Sequence, residues 1–194
     1  YSFQPSSRWT HRITPLSLNY TQLTRTTAAF DKLLVDNPAL GLSLRNQFIP
    51  KVGYYFTYTR QREESPHFFQ LFGEAGNLSN GLMTAFGRRY TETKTMLGVP
   101  FAQFIKAAFD LRYSWRIDRN QTLATRFATG AIYSFGNVTT APYIEQFFVG
   151  GANSIRAFTV RSIGPGRFRT QQESAYSFMD RVGEMKLEAN VDLV

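Results

Sequence analysis

The segment FIKAAFDLRYSWRI, residues 104–117, decides the fold. Its odd positions carry Ile105, Ala107, Phe109, Leu111, Tyr113, Trp115 and Ile117. Its even positions carry Lys106, Ala108, Asp110, Arg112, Ser114 and Arg116. Such sustained alternation has a period of two, which a strand sorts onto two faces. A helix would set Phe109 and Asp110 on neighbouring faces and smear the apolar stripe. The segment therefore reads as a strand with one apolar and one polar face.

Its neighbours follow the same rule. After the turn at 118–120, Leu123, Thr125, Phe127, Ala131, Tyr133 and Phe135 share one face. Ala124, Arg126, Ala128, Gly130 and Ser134 share the other, and Ile132 is an apolar exception on that polar side. Val52, Tyr54, Phe56 and Tyr58 alternate with Lys51, Gly53, Tyr55, Thr57 and Thr59. Leu16, Leu18 and Tyr20 alternate with Ser17, Asn19 and Thr21. Leu187, Ala189, Val191 and Leu193 alternate with Lys186, Glu188, Asn190 and Asp192. A weaker strand at 67–77 sets Phe69, Leu71 and Ala75 against Gln70, Phe72 and Glu74.

The connections alternate in length. Short polar turns fall near 5–10, 62–67 and 118–120, and long ones near 26–46, 78–100 and 137–180. In the first long one, Phe30, Leu33 and Leu34 share the face of a short helix that Pro38 would end. Short turns at one end and long loops at the other mark an outer-membrane β-barrel, whose strands need on the order of ten residues to cross the apolar band. The polar set would line a wet interior, the aromatic set would face lipid, and Tyr113 and Trp115 would suit an interfacial girdle. A soluble all-β binding module is the rival, because alternation alone does not say which face is inside. Long strands, asymmetric turn lengths and a polar face that mixes charges with Gly and Ala favour the membrane.

Composition narrows the chemistry. The 22 Lys and Arg exceed the 14 Asp and Glu to give a formal charge of +8. They are scattered rather than clustered, so nucleic acid is not the expected partner. Cysteine is absent, and the only histidines, His11 and His67, lie far apart with no metal-ligand motif around either. No nucleophile context appears, and Gly164-Pro165-Gly166 lacks the spacing of a phosphate loop. The expectation is no enzyme, no metal and no cofactor. No apolar run approaches the roughly 18 residues of a membrane helix. The chain opens on Tyr1 without a signal peptide, and reads as a piece of a longer precursor.

The stretch EQFFVGGANSIRAFTVRSIGPG, residues 145–166, carries the most specific pattern. An aromatic run, Gly150-Gly151, Ile155-Arg156-Ala157-Phe158 and Gly164-Pro165 together resemble the sixth extracellular loop of the BamA/TamA family of outer-membrane assembly barrels. The Ile-Arg-Ala-Phe variant looks most like a TamA-like branch found in Bacteroidetes. Alanine at 157 departs from the glycine usual in the family, and would be strained if the backbone there needed a positive φ.

What the resemblance implies is an all-β fold, an antiparallel transmembrane β-barrel of about 16 strands of which this chain supplies about six. Residues 1–5 would end one strand. The next six would be 11–25, 46–62, 67–77, 101–117, 121–136 and 184–194. The whole of 1–194 would be part of one C-terminal barrel domain of surface-antigen type, without the periplasmic POTRA domains. With too few strands to close, the piece would be the ordered part of a longer chain or would self-associate through its edges.

The implied function is insertion or export of client polypeptides, with a TamB-like periplasmic protein and unfolded clients as partners and lipid around the barrel. A polypeptide-secreting or passive transport pore is the alternative. The resemblance also implies a loop lock. Arg156, partly desolvated inside the barrel, needs an acidic partner. Asp192 sits at the matching place on the descending strand, on the polar set beside Glu188, the second candidate. Phe158 would pack on the inner wall, with Gly150 and Gly151 letting the backbone pass close.

Overall fold

A computed structural model of the chain describes residues 1–22, 25–36, 46–61, 65–77, 95–96, 99–164, 166 and 181–194. Its main element is a 7-stranded antiparallel sheet. In chain order the strands are β1 (Ser2–Ser6), β2 (Trp9–Thr21), β3 (Gln47–Gln61), β4 (His67–Gly76), then β7 (Phe104–Asp118), β8 (Gln121–Ser134) and β9 (Met185–Leu193). Between β4 and β7 a two-stranded ribbon pairs β5 (Thr95–Met96) with β6 (Val99–Pro100). It lies inside the stretch expected to be loop.

Each strand pairs with its neighbour in the chain, apart from the ribbon's insertion. That is the meander that the turn signals imply. The last six expected strands are all present with ends displaced by up to four residues, the largest at β2, which stops at Thr21. A helix α1 (Ala28–Asp36) forms in the first long connection, where the Thr27 hydroxyl accepts the Phe30 N–H at 3.3 Å as an N-cap. Pro38, its expected terminator, lies outside the described residues.

The two faces are as distinct in space as in sequence. Asp110 pairs across to Phe72 and Ala128, Arg112 to Gln70 and Arg126, and Glu188 to Ala128, so the polar set runs continuously from β4 to β9. On the opposite face the large side chains are bare: Leu18, Phe109, Trp115, Phe127, Tyr133, Leu187 and Val191 are all exposed. A water-soluble sandwich would bury that face against a second sheet. Here it presents an apolar surface wide enough to require lipid or more protein.

One strand changes parity, and the reason is proline. On β2 the apolar face carries Trp9, His11 and Ile13, then Leu16, Leu18 and Tyr20. The register runs from Thr14 opposite Gly53 to Ser17 opposite Lys51, three residues against two. Pro15 occupies this bulge, where it has no N–H to donate to a ladder. The extra residue flips the alternation and keeps the apolar set on one side.

The true core is small and sits on the polar face, at the long-loop end. Ile49, Ala102, Phe104, Ile132 and Ala141 are buried together, with Val138 and Phe147 packed against them. This explains Ile132, the apolar exception in β8. It is covered by the loop that leaves that strand.

An arginine at 127, midway along β8 on the apolar face, should therefore be costly. We expect Phe127→Arg to lower stability in vesicles by ~2–4 kcal/mol. Thr57→Arg, on the polar face of β3, should cost less than about 1 kcal/mol, since that face admits charge. Urea titration of the vesicle-embedded chain, followed by circular dichroism, measures both.

Candidate functional site

The loop that leaves β8 folds over the polar face and is tied to it at successive points. At the top, Phe135 N–H bonds the Gln103 carbonyl at 3.1 Å. The Glu184 carboxylate accepts the Ala141 N–H at 2.6 Å and the Ser134 hydroxyl at 3.2 Å. A single 3-10 turn, η1 (Tyr143–Glu145), then aims Glu145 at the wall.

Glu145 completes the first of two charge clusters. Its Oε2 lies 2.8 Å from Lys51 Nζ and 3.3 Å from Lys106 Nζ. Glu74 Oε1 lies 3.3 Å and 3.6 Å from the same two ammonium groups. Two cations and two carboxylates thus alternate, three from the wall strands β3, β4 and β7 and one from the loop. All four side chains are mostly buried, so leaving out Glu145 would strand two desolvated lysines with one carboxylate between them.

Two residues further on, Phe147 fills a niche in the wall. It exchanges backbone hydrogen bonds with Gly183, at 2.8 and 2.9 Å. Its ring lies where a side chain at Gly130 would be, since a Cβ there would stand 2.4 Å from the ring. Lys106 Nζ sits 5.2 Å from the ring centre, a cation–π contact. Only glycine at 130 leaves room for this aromatic to reach the strand backbone.

The second cluster captures the loop's lower reach. Arg126, on β8, is its centre. Its Nη2 and Nε lie 2.5 and 2.9 Å from Asp110 Oδ2, and its Nη1 lies 3.1 Å from Glu188 Oε1. The same Nη1 donates to the backbone carbonyl of Asn153 in the loop. Glu188 Oε2 accepts the Ser154 hydroxyl at 2.6 Å and faces Lys186 Nζ at 2.9 Å. Asn190 Nδ2 donates to the Ser154 carbonyl at 3.0 Å. Glu188 is only 4% exposed at its side chain, so both its oxygens are committed inside the cluster. From Ser134 to Arg126 is eight residues of strand, roughly 27 Å at ordinary strand rise. The loop's grip therefore extends well down the wall.

The residues singled out in the sequence divide in two. Glu188 is in the contact network, and it binds the loop through Ser154. Gly150 and Gly151 have φ of 97° and 93°, in the region that favours glycine. They approach the loop's own returning leg, not the wall: a Cβ on Gly150 would stand 2.2 Å from the Thr159 carbonyl oxygen. Gly151 N–H bonds the Phe158 carbonyl at 2.8 Å, and Arg161 N–H bonds that of Val149 at 3.0 Å.

Arg156 and Asp192 are exposed, and no ion pair joins Arg156 to Asp192 or to Glu188 among the described residues. Both line one cavity of about 260 Å³ beside Arg112, Arg126 and Asn190. The wall supplies its own cations, Arg126 and Lys186, to the carboxylate the loop uses. Phe158 is 48% exposed rather than packed on the wall. Ala157 is not strained, because its φ is not positive. Another loop arginine, Arg161, is held: at φ 60°, its guanidinium lies 4.7 Å from the Phe148 ring centre and 5.1 Å from that of Tyr143. Parity places Arg126, Asp110, Lys51, Lys106 and Glu74 on the polar face, but nothing in the sequence marks these residues, or Glu145, as members of the site. Among the described residues no group of three His, Asp or Glu is placed to hold a metal ion.

The model of the Omp85 superfamily domain matches residues 74–189. That span runs from within β4 to within β9 and includes both charge clusters in large part and the whole loop. No curated protein gives a significant match.

These contacts predict where coupling resides. A double-mutant cycle on Arg126→Ala and Glu188→Ala should show a coupling energy of about 0.5–3 kcal/mol in unfolding titrations. The same cycle on Arg156→Ala and Asp192→Ala should be additive to within about 0.5 kcal/mol. Gly150→Ala should raise amide hydrogen exchange across 147–161, because it meets both an unfavourable φ and a carbonyl.

Proposed function

This chain belongs to the Omp85 superfamily, and from that premise we propose that it forms part of an outer-membrane barrel that inserts or exports client polypeptides, with its long loop as a re-entrant lock. Members of the superfamily are bacterial outer-membrane barrels for assembly and translocation. The observation that carries the reading is the capture of Asn153 and Ser154, their carbonyls by Arg126 and Asn190 and the Ser154 hydroxyl by Glu188. Holding a loop by its backbone against the polar wall serves a barrel whose interior must be organised, and does little for a passive channel that needs an open lumen.

The lock we propose has two stages. Glu145 on Lys51 and Lys106 anchors the upper part, and Ser154 on Glu188 the lower. Freed from the second, the loop could swing on the first without leaving the barrel. A lock of that kind would hold one arrangement of the wall while a client strand is handled elsewhere on the barrel. The work is mechanical, the lowering of a barrier to strand insertion or passage, with no bond made or broken. The Ile155-Arg156-Ala157-Phe158 variant supports a place on the TamA-like, Bacteroidetes-type branch, with a TamB-like periplasmic partner, unfolded outer-membrane proteins as clients and POTRA domains elsewhere in the protein.

The secretion-pore reading makes a different demand on the loop. If the loop only plugs a pore, releasing it should raise conductance and leave client assembly unchanged. Under the lock reading, Glu145→Ala with Glu188→Ala in the full-length protein should slow assembly of a β-barrel client in reconstituted vesicles at least severalfold. Protease protection of the client and single-channel current, recorded on the same preparation, separate the two.

A further inference from the structure

Both histidines and both tryptophans of the chain lie on the apolar face, and they are arranged twice in the same way. In the first cluster Trp9 stacks on His11 with ring centres 5.8 Å apart and planes 7° apart, and His11 Nδ1 lies 2.8 Å from the Tyr54 hydroxyl. In the second, Trp115 stacks on His67 at 5.9 Å and 28°, and His67 Nδ1 lies 2.8 Å from the Tyr113 hydroxyl. The strands contribute differently: β2 supplies Trp and His to the first cluster, whereas β7 supplies Trp and Tyr to the second. The shared geometry is thus not a copied sequence motif. Both tryptophans stand close to a short turn, Trp9 directly after the turn at 7–8 and Trp115 shortly before the turn at 119–120.

An ordinary aromatic girdle puts the polar tips of Trp and Tyr into the headgroup region. Here each tyrosine hydroxyl is spent on an imidazole instead. In the tautomer in which the hydroxyl donates to Nδ1, the imidazole carries its proton on Nε2, and Nε2 is then the donor the cluster presents. Among the described residues neither Nε2 has a partner. Among the described residues of the surrounding rim, Arg8, Arg60 and Arg119 are exposed, against the carboxylate of Asp118. In that tautomer two N–H donors beside exposed arginines, above a bare apolar face, match an acyl lipid with an anionic head.

We propose that the two Trp–His–Tyr clusters are phospholipid headgroup sites, each taking a lipid phosphate on the histidine Nε2–H while the acyl chains lie along the apolar face below. The proposal rests on the outer-membrane reading above and adds to it a specific lipid chemistry at the short-turn rim.

The test uses the full-length protein in dodecyl maltoside. Phosphatidylglycerol and monogalactosyl diacylglycerol are offered in equal amounts, and retained lipid is counted by native mass spectrometry. The phospholipid should be retained about tenfold more, the effect of a hydrogen bond to a charged group. His11→Phe with His67→Phe keeps the rings and should bring the ratio close to one. If that variant does not fold, as read by circular dichroism, Tyr54→Phe with Tyr113→Phe frees the imidazoles and should lower the ratio severalfold. Equal retention of the two lipids by the unaltered protein, or a ratio indifferent to the variant that folds, overturns the proposal. Displacement of the lipid by millimolar inorganic phosphate would also overturn it, by marking a free-phosphate site. Failure of the same protein to insert into phosphatidylglycerol vesicles, assayed in parallel by flotation, would sink the outer-membrane reading, whereas insertion without headgroup preference would sink only this one.

Discussion

Arg126 is the constraint on which the loop's arrangement depends. A guanidinium has five N–H donors in a rigid plane and no acceptor, so burying one against a wall demands several oxygens in fixed directions. Asp110 and Glu188 supply two of them from the flanking strands β7 and β9, and the loop supplies a third with the Asn153 carbonyl. The wall charges face one another across β7, β8 and β9, and the loop adds a peptide carbonyl to them. Because the peptide group is common to every residue, this capture specifies where the backbone goes more than which side chains it carries.

The loop's own chemistry complements that demand at three depths. Glu145 meets two lysines, Phe147 enters the space above Gly130, and Ser154 bonds Glu188. The returning leg is then built against the descending one, through Gly150 and Gly151 and the stacking of Arg161 on Tyr143 and Phe148. A structure held partly by the wall and partly by itself can be released from one and keep its shape through the other. That is the property a lock needs and a simple plug does not.

The apolar face obeys a different economy. Its side chains bury little against each other, and the small core on the opposite face is too slight to carry a sheet of this size in water. In the outer-membrane reading proposed above, lipid contact takes the place of a second layer. The bulge at Pro15 shows how strictly the division is kept, since a slipped register there would have turned Leu16, Leu18 and Tyr20 toward the polar side.

Period-two alternation determined, without coordinates, that the chain is all-β, which residues share a face and which connections are short. These are local properties, fixed by where successive Cβ atoms point and by which turns a few polar residues can make. The loop's importance was legible too, from the residue types around Gly150. Its partners were not. Parity placed Asp192 and Glu188 on one face but did not say how far down the wall the loop reaches, and the reach decides that the tip meets Glu188 and Asn190. Nor did Arg156 announce that a wall arginine, not a loop arginine, would serve the buried carboxylate. Contacts between residues tens of positions apart depend on the register of several strands and the path of an irregular backbone together, and only the tertiary structure settles both at once.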